Sequence, residues 1–126
     1  MAIAAKAVDH ATASGAPMRE SQIEKYLVKR VKELGGEVRK VQWIGRRYAP
    51  DRLVMLPERE NPSRPEKFHN YGSQTTWVEL KNPETIKTFP ADARERAQAR
   101  EHARMRKLGQ DVVVIGTIEA VEALLS

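Results

Sequence analysis

The chain has 126 residues, room for one domain with a hydrophobic core, and no cysteine, which excludes disulfides, thiolate zinc sites and a cysteine nucleophile. Its 22 lysines and arginines against 17 acids give a net charge of +5, a balance that favours an anionic partner such as nucleic acid. The metal ligands left are carboxylates and three histidines, a set biased toward hard cations such as Mg²⁺ or Mn²⁺.

Residues 1–17 are mostly small and end on the break Ser14-Gly15-Ala16-Pro17, so a loosely held tail with room for one short helix is expected before a single domain over 18–126. Lys6, Asp9 and His10 interrupt what a secretion signal would keep apolar, and no apolar run approaches the ~20 residues that span a bilayer. The expectation is a cytoplasmic protein with no membrane partner. From Met18, the residues Ile23, Leu27, Val31 and Leu34 recur at helical spacing until Gly35-Gly36 stops them. Glu37–Ile44 alternates imperfectly through Val38, Val41 and Trp43 and reads as a strand. Gly45–Pro50 is a turn carrying Arg46 and Arg47, and Asp51–Leu56 is a second, more buried strand closed by Pro57.

Glu58–Ser73 is rich in proline, asparagine and charge, the composition of a loop. Thr75–Lys81 is a third strand, ended by Asn82-Pro83, and 83–90 is a connector. A charged helix then runs over Ala91–Leu108 to the stop at Gly109. Val112–Ile115 is a short apolar run, the mark of a strand covered on both faces, and Thr117 caps a last helix through Leu125. The expected fold is α/β: helix, three-strand meander, helix, strand and helix around a small mixed sheet, the fourth strand joining after a helical crossover.

The chemistry concentrates on Thr75–Lys81. Alternation along a strand puts Glu79 and Lys81 on one face and Val78 and Leu80 on the other. A carboxylate and an ammonium at the end of an apolar strand are costly unless they have a task. Asp51 opens the neighbouring strand, and antiparallel pairing would lay it beside Glu79 and Lys81. Two carboxylates so close repel each other and attract a divalent cation, while the lysine can polarise a water or offset developing negative charge.

Pro50-Asp51 followed by Glu79-Leu80-Lys81 resembles the proline–aspartate, glutamate–x–lysine signature of the restriction-endonuclease-like superfamily. The wider run, from Glu20 opening the first helix through Gln98 on the next long helix to about Thr117, resembles the VRR-NUC (virus-type replication–repair nuclease) family, especially its small stand-alone phage members. The family usually carries glycine where this chain has Tyr48, which leaves the geometry of that turn open. The resemblance implies a restriction-endonuclease-like fold with Asp51, Glu79, the Leu80 carbonyl and Glu20 on Mg²⁺ or Mn²⁺, and with Lys81 orienting the attacking water. Glu20 continues the Ile23, Leu27, Val31 stripe and is expected to face inward, with Glu24, one turn on, as its competitor. Gln98 lies on the stripe of His102, Met105 and Leu108 and would support the site.

The implied activity is a metal-dependent, structure-selective DNA endonuclease encoded by a phage or bacterium. It would leave a 3′-hydroxyl and a 5′-phosphate, and it would resolve four-way (Holliday) junctions as a homodimer, because a symmetric junction needs two paired cuts. A flap or weakly selective nuclease is the rival within enzymes; a catalytically silent nucleic-acid-binding module of the same fold is the rival outside them. Arg46, Arg47 and Arg52 flank Asp51, where backbone phosphates must pass, and Tyr48 is placed to touch substrate. The arginines from Arg94 to Arg106 form either a solvated face or further phosphate contacts. Trp43 and Trp77 are expected in the core or at its rim, and His102 on the inner face of its helix with no histidine metal site.

Overall fold

The computed structural model describes residues 18–57 and 75–126. The expected tail over 1–17, with His10, and the loop expected at 58–73, with His69, lie outside them. In chain order the described elements are α1 (Glu20–Glu33), β1 (Glu37–Lys40), β2 (Arg52–Met55), β3 (Thr75–Leu80), α2 (Pro83–Thr88), α3 (Ala93–Lys107), β4 (Val112–Ile115) and α4 (Ile118–Leu125). The four strands form one sheet in the order β1-β2-β3-β4. The first three make the antiparallel meander, and β4 pairs parallel to β3 after the helical crossover.

One face of the sheet carries the main core. Ile23, Leu27 and Val31 of α1 pack with Val54, Val78, Leu80 and Ile115 of the strands and Ile118, Val121 and Leu125 of α4. Each such side chain taken out of water contributes roughly 1.5–3 kcal/mol. Leu34, expected on the same stripe, is instead the exposed C-cap residue of α1. The chain turns there through Gly35, at φ +85°, a left-handed conformation that glycine adopts without penalty. Glu122 fastens the two helices together: it accepts hydrogen bonds from Tyr26 Oη (2.6 Å), Arg30 Nε (2.7 Å) and Arg30 Nη2 (3.1 Å).

The other face is covered by α3, which buries Gln98, His102 and Met105. Leu108, again expected inside, is the exposed C-cap. The helix begins two residues later than its composition suggests, because Asp92 is the N-cap and accepts from the Glu95 amide (2.8 Å). Gly109, at φ +87°, ends it as expected.

Two further departures have local causes. The first strand stops at Lys40 rather than Ile44. One more ladder bond forms, from the Val41 amide to the Asp51 carbonyl (2.9 Å), after which the Trp43 indole donates to the Pro50 carbonyl (2.8 Å). Gly45 and Tyr48, both at positive φ, then shape the turn. The connector at 83–90 contains α2, started by the Asn82 side chain, which accepts from the Glu84 and Thr85 amides (2.9 and 2.8 Å), with Pro83 in the first turn. Among the described residues no helix is long and apolar enough to cross a membrane.

Candidate active site

The sheet register brings the signature residues together. Arg52 lies opposite Val78 in the antiparallel β2–β3 pair, so one step further Asp51 lies opposite Glu79. Val78 and Leu80 point into the core on the α1 side and are buried. Glu79 and Lys81 point to the α3 side, where each meets that helix. The Lys81 backbone is pinned by its amide to the Ile115 carbonyl (2.8 Å), which fixes the end of β3 against β4.

Lys81 is 7% exposed, and its surroundings compensate its charge. The ammonium donates to Gln98 Oε1 (3.0 Å), pairs with Glu95 Oε2 (3.1 Å) and sits 5.2 Å from the centre of the Phe89 ring. Glu95 is held in turn by the Ala91 amide (2.9 Å), which, with Lys81, keeps its carboxyl below the usual range. Gln98 therefore faces the site as its spacing suggested. Glu95 and Phe89 were not foreseen. Glu95 could have been found, since 95, 98 and 102 follow one helical stripe and Glu95 is its first member; Phe89 carries no comparable signal.

Glu20 belongs to the same cluster. Burial raises the pKa of its carboxyl. Lys81 opposes that rise, the Glu79 and Asp51 carboxylates add to it, and Arg52 opposes it again. Glu20 at the start of α1 is thus within electrostatic reach of the start of β2 and the end of β3. Glu20 is nevertheless exposed, where its place on the stripe suggested an inward residue, because it lies in the first turn of α1, beyond the buried Ile23. Glu24 is engaged elsewhere: it is hydrogen-bonded to Arg52, whose Nη1 also lies 2.8 Å from Asp51 Oδ1.

The basic residues around Asp51 divide. Arg46 makes a two-pronged pair with Glu101 of α3 (2.8 and 2.6 Å), which ties the β1–β2 turn to that helix. Arg52 is spent on Glu24 and Asp51, as above. Arg47 is exposed and has no carboxylate partner among the described residues. Tyr48 beside it is 40% exposed at φ +69°. On α3, Arg106 clamps the Val112 carbonyl (3.0 and 2.8 Å), whereas Arg94, Arg100 and Arg104 face solvent. Trp43 and Trp77 meet at 5.1 Å, half-buried at the rim of the α3 layer.

The donor set suits a hard divalent cation: the carboxylates of Asp51, Glu79 and Glu20 and the Leu80 carbonyl are all oxygen donors. Among the described residues, however, no three acidic or histidine side chains converge closely enough to hold an ion as they lie. Asp51 is turned to Arg52, and Glu79 has its Oε1 3.5 Å from His102 Nε2. An ion held by these carboxylates would need other side-chain rotamers than these.

No protein-family model matches the chain. The protein named "Putative nuclease p44" of Acyrthosiphon pisum secondary endosymbiont phage 1 is 37% identical over 98 residues, 78% of this chain and 83% of that protein. A solved structure described as a VRR_NUC domain is 33% identical with a TM-score of 0.59, over 84% of this chain and 92% of that one. The layered mixed sheet is the restriction-endonuclease-like arrangement that the motifs implied.

Proposed function

Because the chain belongs to the VRR-NUC family of phage-type nucleases, we propose that it is an endonuclease that hydrolyses DNA phosphodiester bonds with Mg²⁺ or Mn²⁺. The observation that carries this reading is the β2–β3 register, which lays Asp51 opposite Glu79 with Lys81 two residues on, its ammonium held by Gln98 and Glu95. Asp51, Glu79 and Glu20 would hold the cation, with the Leu80 carbonyl beside them. When bound, the cation supplies Lewis acidity that polarises the scissile phosphate. Lys81, aimed by Gln98 and Glu95, orients the attacking water and stabilises the charge that grows on the phosphate oxygens. Arg47 and Tyr48 meet the DNA backbone beside Asp51, while Arg46 and Arg52, paired with Glu101 and with Glu24 and Asp51, hold the surrounding turn and strand in place.

The substrate is branched DNA, a four-way junction first, cut by a homodimer in the host cytoplasm. The described part of the chain offers little surface to grip four arms, and paired cuts need paired sites. The test compares labelled four-way junction, flap, duplex and single strand in Mg²⁺ and Mn²⁺, with sedimentation of the protein at the working concentration. Junctions should be cut at least about tenfold faster than duplex, by a dimer. Equal rates on all substrates, or a monomer at full activity, would leave a weakly selective nuclease.

A further inference from the structure

We propose that His102 is a positioning residue, whose imidazole holds Glu79 in the orientation from which the carboxylate takes up a divalent cation. The inference rests on the function proposed above. His102 is 1% exposed in the middle of α3, and neither ring nitrogen has a hydrogen-bond partner. A buried polar atom with no partner is rare, and it calls for an explanation. Its Nε2 lies 3.5 Å from Glu79 Oε1, a few tenths of an ångström beyond a good hydrogen bond.

The ring also has an aromatic neighbour. It stacks on Phe89 at 6.1 Å with 23° between the planes, and Phe89 also lies under the Lys81 ammonium. One wall, His102 and Phe89, thus borders both the carboxylate and the lysine of the signature. When Glu79 swings to take an ion through one oxygen, the Nε2–H of His102 can satisfy the other. Carboxylates that bind metals are commonly held this way, and loss of the outer partner weakens metal affinity by roughly 10–100-fold. A histidine that only filled space would be replaced without loss by leucine, which is apolar and of similar bulk.

The experiment is Mn²⁺ calorimetry on the full chain at one fixed pH, for the parent, His102→Leu and His102→Gln, beside thermal melts without metal. His102→Leu should melt no lower than the parent yet bind Mn²⁺ about 10–100-fold more weakly. His102→Gln, whose amide can reach where Nε2 stood, should recover most of the affinity. Equal Mn²⁺ affinity in the parent and His102→Leu would overturn the positioning role and leave the nuclease reading standing. A parent that binds no Mn²⁺ would overturn both. Should His102→Leu fail to fold, nitrogen-15 spectra of the parent at the same pH decide: Mg²⁺ should convert His102 Nε2 into a hydrogen-bonded N–H, and an unmoved resonance would overturn the proposal.

Discussion

Tyr48 holds φ +69° in the turn just before Pro50-Asp51, at the position where the family's pattern carries glycine. The turn thus keeps its left-handed geometry without the residue best suited to it, at a cost of about 1 kcal/mol. Tyr48→Gly should therefore raise stability by about 0.5–1 kcal/mol in urea unfolding, and a loss would show that the ring makes contacts worth more than the strain. At the same close range the two glutamates of α1 have different surroundings. Glu24 is committed to Arg52, while Glu20 responds to Asp51, Glu79 and Lys81 together. His102 stands at this scale as well, because two unsatisfied buried nitrogens cost about 1–3 kcal/mol each and are tolerated here beside a carboxylate.

Between elements, the clearest fastening is Glu122 against Tyr26 and Arg30, which joins α4 to α1 across the core. The hydrogen bonds from Arg30 and Tyr26 hold the Glu122 carboxyl below its ordinary value, while burial and Glu122 push the Tyr26 hydroxyl up to about 12. A depressed carboxyl contributes stability that is fully present above its unfolded value, 4.5, and is lost as pH falls through the lower folded value. Glu122→Gln should thus cost about 1 kcal/mol at pH 7, and parent and variant should converge as pH falls below 4.5 in urea melts. Elements with strong periodicity were legible beforehand: the Ile23–Val31 stripe, the Val112–Ile115 run, and the alternation that separates Glu79 and Lys81 from Val78 and Leu80. The α2 helix was not, because none of its residues is buried and it has no apolar period to read. Its cap, Asn82 before Pro83, was the only available sign. The pairing of Glu95 with Lys81 needed the crossover geometry, which places α3 over the end of β3.

At the scale of the whole molecule, the fold brings three carboxylates and one lysine from three segments of chain, the start of α1, the start of β2 and the end of β3, toward one corner of the sheet, and holding them there costs stability. A cation bound there should repay part of that cost. Mn²⁺ at about 100 times its dissociation constant should stabilise the parent by about 2.7 kcal/mol in thermal melts, an increment reversed by EDTA and missing from Glu79→Gln. The measurement that tests the account most directly is cleavage of labelled four-way-junction DNA by the parent, Lys81→Ala and Asp51→Asn, each with Mn²⁺ and with EDTA. The account predicts cutting by the parent in Mn²⁺ alone, with a loss of at least about 10²-fold in each variant. Cutting that survives EDTA or either substitution would contradict it, as would salt-sensitive binding without cutting by the parent.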